Sequence, residues 1–251
     1  MATFDLLAAI DLRGGRVVRL QQGDFAKETT YSDDPVAVAS AFVDGGAKWV
    51  HVVDLDGARG GAPIQGDVIR RIISTVGERA SVEVAGGLRT ADAVADVLQA
   101  GAARAVIGTA ALQDRLFVVD LVARHGPERI AVGLDVRAGM AVGEGGIERA
   151  AGSPVRSAID GLAGAGVRWF EVTAIDRDGT LRGPDLELLE ILAADRRVNV
   201  IASGGIASVE DLRAVREIGC AGAIVGRALY DGSLNLSDAL AASPGGPYPE
   251  R

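Results

Sequence analysis

The sequence predicts an α/β fold, a (βα)8 barrel built from two duplicated half-barrels. Eight short apolar runs alternate along the chain with helix-like stretches, and parallel sheets are connected in this way. The runs are apolar throughout rather than at every second residue, as expected when both faces of a parallel sheet are covered. Eight such units in 251 residues indicate a closed barrel, with a doubly wound open sheet as the alternative.

An internal repeat favours closure of the barrel. The stretch "VEVAGGLRTADAVADVLQAG" returns later as "VIASGGIASVEDLRAVREIG". Three glycine pairs share a spacing of 118 residues: Gly86 and Gly204, Gly101 and Gly219, Gly108 and Gly226. Because the repeat covers both halves evenly, we expect a single domain over residues 1–251. Its half-barrels would span about 1–125 and 126–242, followed by a flexible C-terminal tail at 243–251 that is rich in Pro and Gly.

The individual elements follow from the same pattern. The predicted strands are Leu6–Ile10, Trp49–Leu55, Val82–Ala85, Arg104–Ile107, Ile130–Leu134, Trp169–Ile175, Val198–Ala202 and Gly222–Val225. Helices are predicted between them, among others over 34–46, 65–77, 90–101, 153–166 and 208–219, and most of these stretches end at glycine, the usual helix stop. The last of them opens as Ser208-x-x-Asp211, a capping-box signature.

Composition excludes several classes of function. A hydrophobic content of 48% with only 4% aromatic residues fits a core of Ala, Val, Ile and Leu. The net charge of -8, without a basic patch, argues against a nucleic-acid partner. No apolar run approaches a membrane span, and the start "MATFDLLAAID" lacks the basic residues of a secretion signal. The single cysteine, Cys220, is expected to be a buried small residue, so we predict a cytoplasmic protein without a membrane partner.

Carboxylates collect where barrel enzymes place their chemistry, at the carboxyl ends of strands. These residues are Asp11, Asp54, Asp56, Asp135, Asp176 and Asp178. Asp11 and Asp135 occupy equivalent places in the two halves, so closure would set them on opposite sides of one barrel mouth. Two facing carboxylates can serve as general acid and general base when their surroundings push their pKa values apart. For Asp54, Asp56 and Asp176, loop capping or pairing with arginine is the preferred interpretation.

Paired glycines end the third and seventh predicted strands, and single glycines end the fourth and eighth. Backbone N–H groups near a helix start bind phosphate, and the loops after the last two strands are the usual phosphate site of barrels. Two equivalent cradles on opposite sides of one mouth would suit a substrate with a phosphate at each end. The alternative, that the glycines only make tight turns, explains four matched positions poorly. The two histidines, His51 and His125, form no ligand cluster in the sequence, so no metal site is predicted.

Several motifs together carry a family resemblance over about Leu6 to Leu240. The combination "AAIDLRGGRVVRLQQGD", "HVVDLDGA", "GGLR", "VIGTAAL", "VGLDVR", "RDGTLRGPD", "IASGGI" and "AIVGRALY" resembles the phosphoribosyl isomerase family of histidine biosynthesis, especially its actinobacterial phosphoribosyl isomerase A branch. The resemblance implies a monomeric enzyme without a cofactor. It would open the aminoribose ring of the imidazole carboxamide intermediate ProFAR and convert the aldose to a ketose, an Amadori rearrangement. The actinobacterial branch often also isomerises phosphoribosylanthranilate, in tryptophan synthesis.

The resemblance also assigns site residues. Asp11 matches the general base, Asp135 the general acid, and Asp178 an aspartate that the dual-substrate branch uses as a catalytic partner, so the choice of main acid between Asp135 and Asp178 stays open. Arg19 and Thr173 match substrate-orienting positions. One phosphate would be held by Gly86, Gly87, Arg89, Gly108 and Thr109, and the other by Gly204, Gly205, Gly226 and Arg227.

Some positions depart from the family pattern. The stretch "AVGEGGIERAAGSP" carries Ile147 and Glu144 near the places of a substrate-stacking tryptophan and a clamping arginine, Ala85 replaces a serine, and Gln65 stands where asparagine is common. We therefore expect one of the two activities to be weak or absent, with the larger loss on ProFAR. The alternatives are the cyclase subunit of imidazole glycerol phosphate synthase, which lacks the "RDGTLRGPD" and "GRALY" stretches in this form, and a non-enzymatic phosphosugar-binding barrel.

Overall fold

A computed structural model describes residues 4–21, 24–143 and 152–243. The strands are β1 (Asp5–Arg13), β2 (Arg16–Gln21), β3 (Asp24–Ser32), β4 (Trp49–Asp54), β5 (Ser81–Ala85), β6 (Arg104–Ile107), β7 (Ile130–Arg137), β8 (Met140–Val142), β9 (Ser153–Pro154), β10 (Trp169–Ala174), β11 (Asn199–Ser203) and β12 (Gly222–Val225). The helices are α1 (Pro35–Asp44), α2 (Leu55–Gly60), α3 (Gly66–Val76), α4 (Ala91–Gln99), α5 (Thr109–Gln113), α6 (Arg115–His125), α7 (Val155–Gly164), α8 (Leu186–Ala193), α9 (Val209–Glu217), α10 (Arg227–Tyr230) and α11 (Leu236–Ala242).

Eight parallel strands close into a barrel in the order β1, β4, β5, β6, β7, β10, β11, β12. Pairing of β1 with β12 and of β7 with β10 completes the ring. The alternation of strands and helices makes this a TIM barrel, and all eight predicted strands are confirmed. Four adjacent strands come from each half of the chain, so residues at the carboxyl ends of all eight strands meet at one mouth.

The helices confirm the sequence signals for starts and stops. Asp34 caps α1, accepting hydrogen bonds from the amides of Val36 and Ala37 at 3.1 Å. The predicted capping box is present at α9, where Ser208 and Asp211 each accept from the other's backbone amide. Such caps satisfy donors that a helix start leaves unpaired.

Two antiparallel excursions were not predicted. After β1 the chain forms the hairpin β2–β3, and after β7 it forms β8, which pairs with β9. Their first turns match, because Gly14 and Gly15 have φ of 54° and 77° while Ala138 and Gly139 have φ of 49° and 75°. Positive φ at both central residues is the requirement of a tight two-residue turn that reverses the strand. The half-barrels therefore repeat this feature as well, although the first hairpin is much longer.

The core has two parts. A large apolar layer lies between the barrel and its helices, and a small cluster of Leu7, Ala9, Ile201 and Ile224 fills part of the barrel interior. Cys220 is fully buried, as expected, and desolvation raises the pKa of its thiol to about 12. Within the described part of the chain, no helix combines the length and the apolar character that crossing a bilayer requires. Of the predicted tail, Ser243 is buried and residues 244–251 lie outside the described part.

Candidate active site

The two aspartates predicted as an acid–base pair lie on opposite walls of the barrel. Asp11 is near the carboxyl end of β1 and Asp135 near that of β7, and four steps around the ring separate these strands in either direction. Asp11 is buried, with 8% of its surface exposed, and Asp135 is partly buried. This is the arrangement expected from the repeat.

Arg19 joins the first aspartate to a third one. From β2 it donates to Asp11 Oδ2 at 2.6 Å and to Asp178 Oδ1 at 2.6 Å, using its two terminal nitrogens. Although burial opposes its charge, the two carboxylates raise the pKa of the guanidinium above its ordinary value. Arg19 thereby places a fixed positive charge between Asp11 and Asp178. The sequence predicted all three residues for the site, but not that one side chain bridges the other two.

Asp135 has the environment of a general acid. Burial, and after it the charge of Asp178, raise the pKa of Asp135 to about 6, while Arg137 opposes the shift. Thr173 is its lateral neighbour, because the two residues are paired in the ladder of β7 and β10. A carboxyl group with a pKa near 6 can hold and release a proton close to neutral pH.

The remaining mouth aspartates have structural partners, as predicted. Asp54 is fully buried and accepts from the amides of Gly57, Ile64 and Gln65 at 2.6–2.8 Å. Asp56 accepts from the amide of Gly14 at 2.7 Å and from the side chain of Gln65 at 2.6 Å. Asp176 pairs with Arg137 at 3.3 Å. These groups hold the loops of the mouth in place.

The four residues predicted to hold the second phosphate line one small recess at the barrel mouth, which we call the β11–β12 recess. Its lining includes Arg19, Asp178, Gly204, Gly205, Gly226 and Arg227. Arg227 is the first residue of the short helix α10 and donates to the carbonyl of Gly179 at 2.6 Å and to Asp231 at 2.7 Å. The recess thus combines an arginine, a helix start and glycine backbone, which together favour an anion.

The first predicted cradle is less complete. Gly108 directly precedes α5, as Gly226 precedes α10, and Gly86 and Gly87 end β5. Arg89, however, is exposed and donates to the carbonyl of Ala58 at 3.1 Å, on the α2 side of its loop. The structure therefore brings the glycines and Thr109 to neighbouring strand ends. The hydrogen bond of Arg89 points away from them, toward α2.

Close packing by itself accounts for the paired glycines. A Cβ on Gly86 would lie 2.2 Å from the Asp54 carbonyl oxygen, and one on Gly205 would lie 2.3 Å from that of Gly183. All four paired glycines also have positive φ, between 73° and 98°. The turn interpretation therefore has direct support, and a phosphate site is favoured by the recess and Arg227 instead.

The loop that departs from the family pattern mostly falls outside the described residues. Glu144, Ile147 and Arg149 belong to the segment 144–151, of which the structure says nothing. The chain enters this segment beside the first cradle, since a Cβ on Gly143 would lie 3.2 Å from Thr109 Cγ2.

A cluster of ionisable side chains inside the barrel was missed. His51 Nδ1 lies 2.7 Å from Glu83 Oε1 and 3.7 Å from Glu171 Oε1, so the prediction that His51 belongs to no cluster of possible metal ligands is wrong. Arg104 donates to Glu83 at 2.6 Å and is sandwiched between the rings of Trp49 and Trp169. Arg104 therefore already supplies a cation there. His51, Glu83 and Glu171 each interrupt an apolar strand, and that was the available signal in the sequence.

Comparison with known proteins agrees with this geometry. The family model described as "Histidine biosynthesis protein" matches residues 5–235. A protein of Roseiflexus sp. (strain RS-1) is 47% identical over 95% of this chain and 99% of its own length. A protein of Thermomicrobium roseum is 49% identical over 92% of this chain and 94% of its own, and one of Moorella thermoacetica is 46% identical over 96% and 99%. All three are named as an imidazole-4-carboxamide isomerase whose substrate name contains two phosphoribosyl groups. The chain therefore belongs to the histidine biosynthesis protein family, and it is an isomerase.

Proposed function

We propose that this chain catalyses the Amadori rearrangement of ProFAR, converting its aminoribose aldose into the corresponding ketose. The observation that carries the proposal is the pair of opposed carboxyl groups, Asp135 with its pKa raised to about 6 and Asp11 held by Arg19. An aldose–ketose isomerase needs one group that donates a proton and another that accepts one. The names of the full-length relatives support the choice of substrate.

The rearrangement proceeds by proton transfers alone. Asp135 protonates the ring oxygen, the bond from this oxygen to C1 of the aminoribose breaks, and the nitrogen lone pair forms the C1=N iminium. Asp11 then removes the proton from C2, and the C2–H electron pair forms the C1=C2 bond of an enaminol. Transfer of a proton from the C2 hydroxyl and addition of a proton at C1 give the ketone. No atoms are gained or lost, so this chemistry requires no redox cofactor.

The two ends of ProFAR each carry a phosphate, and the mouth offers two candidate places for them. The β11–β12 recess, with Gly204, Gly205, Gly226 and Arg227, is the stronger one. Gly86, Gly87, Gly108 and Thr109 on the opposite side form the other. A crystal grown in phosphate or sulfate tests this assignment, since we expect an anion at each place and first in the β11–β12 recess.

Steady-state assays with purified enzyme test the function. We expect turnover of ProFAR, with one ketose formed per aldose consumed. Production of an imidazole glycerol phosphate from the ketose and ammonia, without ProFAR turnover, would instead support the cyclase alternative. Binding of ProFAR without turnover would support a phosphosugar-binding barrel.

Phosphoribosylanthranilate is the proposed second substrate, because it has one phosphate and its binding depends less on contacts with the segment 144–151. With Ile147 in place of an aromatic residue, this segment lacks a stacking partner for the larger substrate. We predict that Ile147→Trp raises ProFAR kcat/KM by more than it raises that for phosphoribosylanthranilate. If wild-type enzyme already turns over ProFAR far faster than it turns over phosphoribosylanthranilate and Ile147→Trp changes neither, this interpretation of the segment is wrong.

A further inference from the structure

A chain of side-chain contacts connects the β2–β3 hairpin to the β11–β12 recess. Tyr31, on β3, donates its hydroxyl hydrogen to Asp231 Oδ1 at 2.6 Å. The other oxygen of Asp231 accepts from Arg227 Nε at 2.7 Å. Arg227 in turn donates to the Gly179 carbonyl at 2.6 Å, next to Asp178. Three separate elements, a hairpin, the helix α10 and the loop after β10, are therefore joined at Arg227.

Tyr31 reaches this position because of a β-bulge. In the β2–β3 ladder Val17 pairs with Ser32 and Val18 pairs with Thr30, which leaves Tyr31 as the extra, unpaired residue. A bulge re-aims the side chain of its extra residue. The ring of Tyr31 stacks on that of Tyr230 at 4.8 Å between centroids, and Tyr230 donates to the carbonyl of Ala9 on β1 at 2.7 Å.

The same hairpin carries Arg19. Arg19 pairs with Thr29 on β3, two residues before Tyr31, and its side chain bridges Asp11 and Asp178. Most of β3 is exposed to solvent. The Tyr31–Asp231 contact therefore fixes the end of the hairpin against the helix that supplies Arg227.

The positions of Arg227 and Asp231 carry different residues in the first half of the barrel. The 118-residue repeat places Thr109 opposite Arg227 and Gln113 opposite Asp231. Gln113 is exposed at the end of α5. Of the two predicted cradles, the β11–β12 recess is thus the one with an arginine at the helix start and an acidic residue four positions later, and Gln113 provides a matched control position.

We propose that Tyr31 and Asp231 are positioning residues, which aim the Arg227 guanidinium into the β11–β12 recess and couple it to the hairpin that carries Arg19. The proposal rests on the proposed function, in which this recess holds a substrate phosphate. The contacts of Asp231 with Arg227 and Tyr31 are expected to affect phosphate binding and to contribute little to the free energy of unfolding. The side chains of Arg227 and Asp231 are 37% and 25% exposed, and surface pairs of this kind contribute little to folding.

The test uses full-length enzyme and the variants Asp231→Asn, Tyr31→Phe and Arg227→Ala, with Gln113→Ala as the control. Binding of inorganic phosphate is measured by calorimetry, and KM and kcat are measured with ProFAR. We expect Arg227→Ala to weaken phosphate binding strongly and to raise KM for ProFAR strongly. Asp231→Asn should raise KM about tenfold and Tyr31→Phe about threefold, as losses of single hydrogen bonds, with kcat changing less. Gln113→Ala should match wild type, and melting temperatures should stay close together.

A double-mutant cycle separates positioning from a general structural effect. If Tyr31 and Asp231 act through Arg227, then Tyr31→Phe and Asp231→Asn have no further effect on KM in the Arg227→Ala background. Additive effects in that background would overturn the proposal. If Arg227→Ala weakens phosphate binding and Asp231→Asn does not, the positioning role alone is wrong. If Arg227→Ala leaves phosphate binding and KM unchanged, the phosphate assignment of the recess fails and the positioning role fails with it.

Discussion

At the scale of single residues, Asp11 and Asp135 hold equivalent places in the repeat but have different neighbours. Asp11 accepts a hydrogen bond from Arg19, whereas Asp135 faces the negative charge of Asp178 in a partly buried position. Arginine stabilises a carboxylate, and burial next to a second carboxylate favours the protonated form. These different neighbours support the proposed roles, with Asp11 as the base and Asp135 as the acid.

The raised pKa of Asp135 predicts how activity changes with pH. A general acid must be protonated, so kcat/KM for ProFAR should fall tenfold per unit above about pH 6. Asp178→Asn removes one of the causes of the raised pKa, and it should move this alkaline limb toward lower pH by up to about one unit. The pH–rate profiles of both enzymes provide the measurement. Complete loss of the alkaline limb in Asp178→Asn, instead of a shift, would make Asp178 the acid.

Gly226 has a specific steric role beside Arg19. A Cβ at this position would lie 2.8 Å from the Arg19 Cζ, whereas one on the equivalent Gly108 would have no atom within 4 Å. Both glycines have similar backbone angles, so any backbone strain of an alanine is shared between them. Gly226→Ala should displace Arg19 and lower kcat/KM about a hundredfold, and Gly108→Ala should cause a much smaller loss. Equal losses in the two variants would show that Arg19 is not the affected group.

At the scale of elements, the buried charges inside the barrel join β4, β5, β6 and β10. Arg104 donates to Glu83, and despite the opposing effect of burial this interaction and the bond with His51 lower the pKa of Glu83 to about 2. Burial and the charge of Glu83 raise the pKa of Glu171 well above its ordinary value of 4.5. Glu83 is therefore the charged partner of Arg104, and the surroundings of Glu171 favour its protonated form.

Glu171 predicts a dependence of stability on pH. Because its pKa is raised in the folded state, its contribution is fully present below pH 4.5 and is lost as the pH rises toward the folded pKa. Glu171→Gln imitates the protonated form, so the variant should gain stability relative to wild type as the pH rises above 4.5. Glu83→Gln, the matched change, should cost about 3–5 kcal/mol because Arg104 loses its buried partner. Urea unfolding across this pH range measures both, and a Glu171→Gln curve parallel to wild type would contradict the assignment.

The elements differ in how far the sequence predicts them. The eight barrel strands are continuous apolar runs, because both of their faces are buried, and all eight were found. The hairpin β2–β3 was missed because its second strand, "DFAKETTYS", is largely exposed and has no apolar period. The buried charges were missed because their meeting depends on which strands are neighbours in the closed barrel. His51 and Glu171 are far apart in sequence, and only the ring brings them together.

At the scale of the whole molecule, closure of the barrel turns a linear repeat into a site with two opposed walls. The repeat predicted the opposition of Asp11 and Asp135 and the pairs of strand-end glycines. It did not predict at which residues the two halves differ. These differences give the two aspartates different neighbours and so different proposed roles. Strand β8, Met140–Val142, carries no arginine that corresponds to Arg19 on β2. The hydrogen bond from Arg19 to Asp178 joins residues that lie 159 positions apart in the sequence. Such contacts follow from side-chain geometry and not from spacing along the chain.

The most direct test of the account compares ProFAR turnover by wild-type enzyme, Asp11→Asn and Asp135→Asn in single-turnover experiments. Each variant should lose about a hundredfold to ten-thousandfold in rate. Both should keep the wild-type fold, and Asp135→Asn should melt no lower than wild type at pH 8, since the raised pKa of Asp135 makes its ionised form unfavourable in the folded protein. A folded variant of either kind that retains most of its turnover would contradict the claim that these two opposed aspartates carry the reaction.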